Sequence, residues 1–204
     1  MNNVVTRSFV LLAVSTAIVL VSAFVAPPAS APSMASTGQA GMPGHDMSSM
    51  GSMTVDSEAA FITGMLPHHQ EAVASAEAIL AVTERPEVRE LAQTIIATQN
   101  EEIRTLTDWL ERYYPDAQPA AYTPMMEDLA SLSPEEADRA FLEGMIVHHQ
   151  GAVEMAQSYL EGDFEKRPEV TEMAEAIVSA QEGEIIQMQG WLEDGYGDAE
   201  QGTR

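Results

Sequence analysis

The heptapeptide Gly64-Met65-Leu66-Pro67-His68-His69-Gln70 returns eighty residues later as Gly144-Met145-Ile146-Val147-His148-His149-Gln150, and the two copies hold four of the chain's five histidines. The repeat reaches well beyond the paired histidines. Phe61 matches Phe141, Ala72-Val73 matches Ala152-Val153 and Leu80 matches Leu160. After two residues of slippage, Arg85-Pro86-Glu87-Val88 matches Arg167-Pro168-Glu169-Val170, Gln99 matches Gln181, Glu102-Ile103 matches Glu184-Ile185 and Trp109-Leu110-Glu111 matches Trp191-Leu192-Glu193. A duplicated unit of roughly fifty-five residues is too short a series for a solenoid and is enough for one two-fold-symmetric domain.

Each copy carries apolar residues at helical spacing. Phe61, Met65, Leu66, His69, Val73, Ala76 and Leu80 predict an amphipathic helix from about Asp56 to Ala81. Pro86 suits the first turn of a second helix, whose stripe is Val88, Leu91, Ala92, Ile95, Ile96, Ile103, Leu106 and Leu110. Pro115, Pro119 and Pro124 mark a crossover, with a helical turn expected around Met125 to Leu129. Ser133-Pro134-Glu135-Glu136 then reads as an N-cap, a proline at the first helical position and a capping-box glutamate. Helices at about 134–162 and 168–194 repeat the hairpin, and short loops make the paired helices antiparallel. The predicted fold is all-α, a four-helix bundle of two related hairpins. Pro67 lies inside the first helix, where the loss of a backbone donor should kink it beside the first histidine pair.

Outside the bundle the chain divides by composition. Phe9–Ala26 is an uncharged run preceded by Arg7, so residues 1–26 read as a signal peptide or an N-terminal membrane anchor. Residues 27–55, rich in Pro, Ala, Ser, Gly and Met without apolar periodicity, predict a flexible arm. The bundle is expected over 56–194, with repeats at about 57–114 and 137–196, and a tail over 195–204. With no cysteine, the sequence excludes a disulfide scaffold, a thiolate metal site and a cysteine nucleophile. Residues 1–53 hold only Arg7 and Asp46 as charged groups, so the rest carries 31 acidic against eight basic residues. That surface repels nucleic acid and anionic lipid.

The chemistry concentrates at the histidines. His68 and His69 follow Met65 by three and four residues, so a thioether and two imidazoles share one helical face, and Met145, His148 and His149 repeat this. The face coincides with the apolar stripe, which turns the imidazoles inward. Burying two adjacent imidazoles per hairpin is costly for packing alone, although a polar layer that fixes helix register is the plain alternative. Counting rise along antiparallel helices sets Gln99 level with His68, and Gln181 level with His148; Glu102 and Glu184 fall a turn further, level with Met65 and Met145. These four could hold the histidines' second ring nitrogens and fix their tautomers. Di-iron bundles need Glu-x-x-His, whereas here Met65, Leu66, Met145, Ile146 and Met42 stand three residues before His68, His69, His148, His149 and His45. Imidazole with thioether and no thiolate favours copper, Cu(I) above all. The second hairpin adds Met155 and Met188 where the first has Ser75 and Leu106; Met188 is expected near Met145, and Met155 at a different ion or in the core. Met42, His45, Met47, Met50 and Met53 form a further soft-ligand cluster in the arm, which has no packing reason to carry them.

Phe-x-x-Gly-Met-x-x-His-His-Gln-x-Ala-Val, followed by Gln-x-x-Glu-Ile and Trp-Leu, resembles the family catalogued as domain of unknown function 305 across both halves, from about 57 to 194. The resemblance implies a ferritin-like helical bundle, usually exported, with some members tied to bacterial copper handling. His68, His69, His148, His149, Met65 and Met145 match the family motif. Met155 matches a frequent methionine six residues after the second histidine, where the first copy has Ser75. The arm from Met42 to Met53 resembles Met-rich segments of periplasmic copper-resistance proteins.

The sequence thus reads as an exported copper-binding protein, periplasmic, extracellular or anchored to the outer face of the cytoplasmic membrane. It would hold Cu(I), with Cu(II) as a second state, for sequestration, tolerance or delivery. A copper-delivering or copper-accepting protein is the expected partner. A metal-dependent oxidoreductase and a metal-free interaction module with a buried histidine layer are the alternatives.

Overall fold

The structure, a computed structural model, describes residues 55–118 and 120–195. Four helices carry it: α1 (Glu58–Leu80), α2 (Pro86–Tyr113), α3 (Pro134–Glu161) and α4 (Pro168–Gly195), with one 3₁₀ turn at Leu129–Ser131. No strand occurs among the described residues. The helix starts follow from local chemistry. Ser57 caps α1 by accepting from the Ala60 N–H at 3.2 Å. Pro86, Pro134 and Pro168 open the other three helices, where a missing N–H costs nothing. At α3 the full capping box forms, with Ser133 N–H donating to Glu136 Oε2 at 3.0 Å. α1 runs through Pro67 without a break.

The turn expected around Met125 to Leu129 forms later, at Leu129–Ser131, behind an Asp128 cap that accepts from the Ala130 N–H at 3.0 Å. The Asp128 cap sets that start, and upstream of it Glu71 Oε1 on α1 anchors the crossover by accepting from the backbone N–H groups of Met125 at 2.6 Å and Met126 at 2.9 Å.

Packing is most extensive within each hairpin, α1 with α2 and α3 with α4, and next between α1 and α3. α1 and α3 are antiparallel: Phe61, near the start of one, stacks on Tyr159, near the end of the other, at 4.5 Å between ring centroids. Two apolar clusters result. One joins Phe61, Ile62, Met65 and Leu106 to Ala152, Met155, Tyr159, Val170 and Ile177. The other joins Ala72, Ala76, Ile79, Leu91 and Ile95 to Phe141, Leu142, Met145 and Met188. The repeat partners Phe61 and Phe141, and Met65 and Met145, fall in opposite clusters, so the hairpins are related by an approximate two-fold axis. The paired histidines occupy the turns of α1 and α3 between the clusters.

The end of the first cluster is tied by Glu58. This buried carboxylate accepts from Tyr114 Oη at 2.9 Å, Tyr159 Oη at 2.8 Å, Arg167 N–H at 2.7 Å and Arg167 Nη1 at 2.6 Å. Burial alone would raise its pKa, but the hydrogen bonds from Arg167, Tyr159 and Tyr114 outweigh that and hold it below the ordinary 4.5. A carboxyl depressed in the fold stabilises it above its unfolded pKa and loses that contribution as pH falls. Glu58→Gln is therefore expected to cost about 2 kcal/mol at pH 7. The gap to wild type, measured by denaturant unfolding, should close as pH drops below about 4.5.

Candidate metal centre

His68, His69, His148 and His149 are all buried, none more than 1% exposed, because each sits on the apolar face of its helix. His68 and His148 meet where α1 crosses α3, with ring centroids 3.8 Å apart and planes inclined at 40°. The pairs within each helix are alike: 6.3 Å from His68 to His69 and 6.4 Å from His148 to His149. The outer members turn toward the partner helix of their own hairpin. His69 Nε2 lies 2.9 Å from Glu102 Oε2, and His149 Nε2 lies 2.7 Å from Glu184 Oε2. Only the second contact has hydrogen-bond direction; the first is an approach of charge distance in which His69 Nε2 is left without a hydrogen-bond partner.

The inner pair breaks the symmetry. His148 Nε2 faces Glu71 Oε2 at 3.3 Å and Tyr122 Oη at 3.4 Å, and Tyr122 donates its hydroxyl to the same Glu71 oxygen. His68 has neither: both of its ring nitrogens are buried without a hydrogen-bond partner. Each such group costs about 1–3 kcal/mol, and His69 shares the condition, although its Nε2 has Glu102 Oε2 within 2.9 Å whereas His68 has no carboxylate beside it. Glu71 is held to a pKa of about 2, since hydrogen bonds from His148, the Met126 N–H, Tyr122 and the Met125 N–H override the upward push of burial. Burial, followed by the neighbouring His148, His69 and His149, pushes His68 well below 6.5. Burial also lowers His148, against the opposing pull of Glu71. Neutral imidazoles keep a lone pair, the form a metal ion takes.

Met65 and Met145 are fully buried one turn before His68 and His148. Met65 shares its apolar cluster with Met155 of the opposite hairpin, and Met145 shares its own with Met188. Gln99 and Gln181 are 3% and 4% exposed, each with Oε1 lacking a partner. With Glu102 and Glu184 they line a cavity of about 10 Å³ between α2 and α4, room for about one water molecule. Met42, His45, Met47, Met50 and Met53 lie outside the described residues. Among the described residues, no three His, Asp or Glu side chains are arranged to hold a metal ion between them.

Two residues at this site escaped sequence reasoning, Glu71 and Tyr122. The first left a trace, because Glu71 stands where the second copy has Gly151. Tyr122 lies in the crossover, which has no counterpart in the repeat.

An all-α bundle of two related hairpins with a buried histidine layer across its middle is the class that this fold and site define. The family profile described as domain of unknown function (DUF305) matches residues 22–110 and 58–192, and the chain belongs to this family. Among solved structures it is similar to CopM in the Cu(I)-bound form, at 36% identity and TM-score 0.61, covering 69% of this chain and 99% of that one. It is also similar to a DUF305 fragment from Deinococcus radiodurans, at 35% identity and TM-score 0.59, covering 67% of this chain and 95% of that one. A DUF305 protein from Streptomyces coelicolor, named as a candidate secreted protein, matches at 29% identity and TM-score 0.61, covering 68% and 94%. CopM also matches in its Cu(II)-bound, silver-bound and apo forms. No curated protein matches the chain. No helix among the described residues is long and apolar enough to cross a membrane.

The depressed histidines fix a pH dependence. Their neutral form is favoured in the fold, so their contribution is complete above about pH 6.5 and is lost as the unfolded chain takes up protons below it. The metal-free protein should melt at a constant temperature above pH 7 and progressively lower between pH 6.5 and 5. His68→Leu should flatten that slope in calorimetry. An equal slope in wild type and variant would mean that His68 is not held neutral.

Proposed function

We propose that this chain is an exported copper-binding protein that holds Cu(I), and Cu(II) as a second state, for sequestration, tolerance or delivery. The observation that carries the reading is the His68–His148 pair: two buried imidazoles in ring contact, held neutral, with both His68 nitrogens lacking a hydrogen-bond partner. A polar layer that served register alone would be expected to pair its own donors and acceptors. Similarity to CopM, solved with Cu(I), Cu(II) and silver, adds independent support.

The donor set fits copper as cargo. His68, His148, His69 and His149 supply imidazoles, and Met65 and Met145 supply thioethers one turn away. Met155 and Met188 extend the soft surface on either side, and Met42, His45, Met47, Met50 and Met53 form the arm cluster. Gln99, Glu102, Gln181 and Glu184 would orient the outer histidines. Soft thioethers with imidazoles and no thiolate select copper over zinc, calcium or magnesium. The uncharged run from Phe9 to Ala26 would carry the chain across the cytoplasmic membrane.

A metal-free layer is the competing reading, supported by the carboxylates that already meet His69 and His149. A Cu(I) titration against a competing chelator separates the two. His68→Ala with His148→Ala should weaken the bundle's Cu(I) affinity at least about 100-fold. Glu102→Gln with Glu184→Gln should weaken it by about 10-fold to 100-fold, the usual effect of groups that orient ligands. Wild-type affinity should fall from pH 7.5 to 5 as protons compete for the imidazoles. An affinity independent of both histidines and pH would leave the metal-free layer as the role of these residues.

A further inference from the structure

The two ends of the α1–α3 groove are related by the approximate two-fold, yet they are filled differently. At one end the crossover lies in the groove. Leu129 is buried in the cluster around Met145, and Met126, three residues earlier, sets its thioether beside Gly144, 3.2–3.3 Å from where a Cβ would stand. Gly144 is the repeat partner of Gly64. At the Gly64 end, Val55 plays the part of Leu129: it is buried in the cluster around Met65, and its N–H donates to Ser158 Oγ at 3.0 Å. Beside Gly64 the thioether of Met155 makes the approach at 3.2 Å, but it leaves a cavity of about 200 Å³ lined by Val55, Ala60, Gly64, Ala121, Tyr122 and Met155.

The cavity is apolar apart from the tyrosine, and its size exceeds the ~150 Å³ that accepts a benzene-sized guest, so it has room for a methionine side chain. What precedes it in the chain is rich in that side chain. Met53 and Met50 lie two and five residues before Val55, bracketing the three-residue offset of Met126 from Leu129. At ~3.5 Å per extended residue, Met53 reaches about 7 Å from Val55 and Met50 about 18 Å. Residues 46–54 contain no basic or aromatic group, and Asp46 is their only charge. Met50 and Met53 are the large apolar side chains that most closely precede Val55 in the chain.

We propose that residues 46–54 dock in the α1–α3 groove at this cavity and set the thioether of Met50 or Met53 against Met155, as Met126 is set beside Gly144 at the symmetry-related end. The docking needs no metal. Its consequence for copper rests on the reading above: an arm thioether would stand beside Met155 and Tyr122, and Tyr122 borders both His148 and His68. The arm and the histidine layer would then form one continuous path of donors.

The test is methyl NMR of the metal-free full chain labelled at the methionine ε-carbons, with resonances assigned by single Met→Leu substitutions. Docking predicts a nuclear Overhauser contact from the Met50 or Met53 methyl to the Met155 methyl or the Tyr122 ring. Ala121→Trp, which fills the cavity from its exposed rim, should abolish that contact and leave those of Met126 unchanged. No contact in the wild-type chain would overturn the proposal, as would a contact seen only between differently labelled copies, which would assign the cavity to a second chain. Because the sample is metal-free, either result leaves the copper reading to its own titration. If docking holds, mixing with Cu(I) should shift the Met50 or Met53 and Met155 methyls together; separate shifts at different Cu(I) ratios would break the link between arm and layer.

Discussion

Four imidazoles buried across the middle of a small bundle are the constraint on which the rest of this structure turns. Desolvating one histidine is tolerable when both ring nitrogens are paired, and this layer pairs only some of them. The outer two meet Glu102 and Glu184, the inner His148 meets Glu71 and Tyr122, and His68 lies against the rings of Tyr122 and His148 with no carboxylate beside it. The apolar clusters on either side hold the layer in place, since Phe61, Met65 and Tyr159 at one end and Phe141, Met145 and Ile79 at the other fix how α1 crosses α3. The fold thus stores an unfavourable polar arrangement that a cation with affinity for imidazole would relieve.

Duplication supplies this layer, and the departures from duplication give it direction. Glu71 in place of Gly151 gives one inner histidine a carboxylate and gives the crossover a fixed anchor through the Met125 and Met126 N–H groups. Met155 in place of Ser75 sets a thioether beside Gly64 at the opposite end of the groove. A symmetric pair of hairpins would offer two equal sides; this one has a closed side under the crossover and a side that opens on a cavity.

Much of this was legible in the sequence for identifiable reasons. Proline at the first turn of three helices and the Ser133–Glu136 box set the helix starts because their effects are local. Counting rise brings Glu102 and Glu184 to the region of the layer but sets them level with Met65 and Met145, whereas they stand beside His69 and His149, because the register of a hairpin depends on its loop as well as on rise per residue. The crossover was not legible. Its course depends on Glu71 capturing two backbone donors from more than fifty residues away, which no local propensity encodes. The sharing of one cluster by Met65 and Met155 was missed for a related reason: it crosses between hairpins, where spacing along one helix says nothing.

The central claim is that the buried imidazoles are ligands, and X-ray absorption at the copper edge of the Cu(I)-loaded protein addresses it most directly. The account predicts a shell of mixed nitrogen and sulfur donors with the outer-ring scattering of imidazole, and loss of that scattering in the His68→Ala, His148→Ala variant. A spectrum of sulfur donors alone, unchanged by the double substitution, would contradict it.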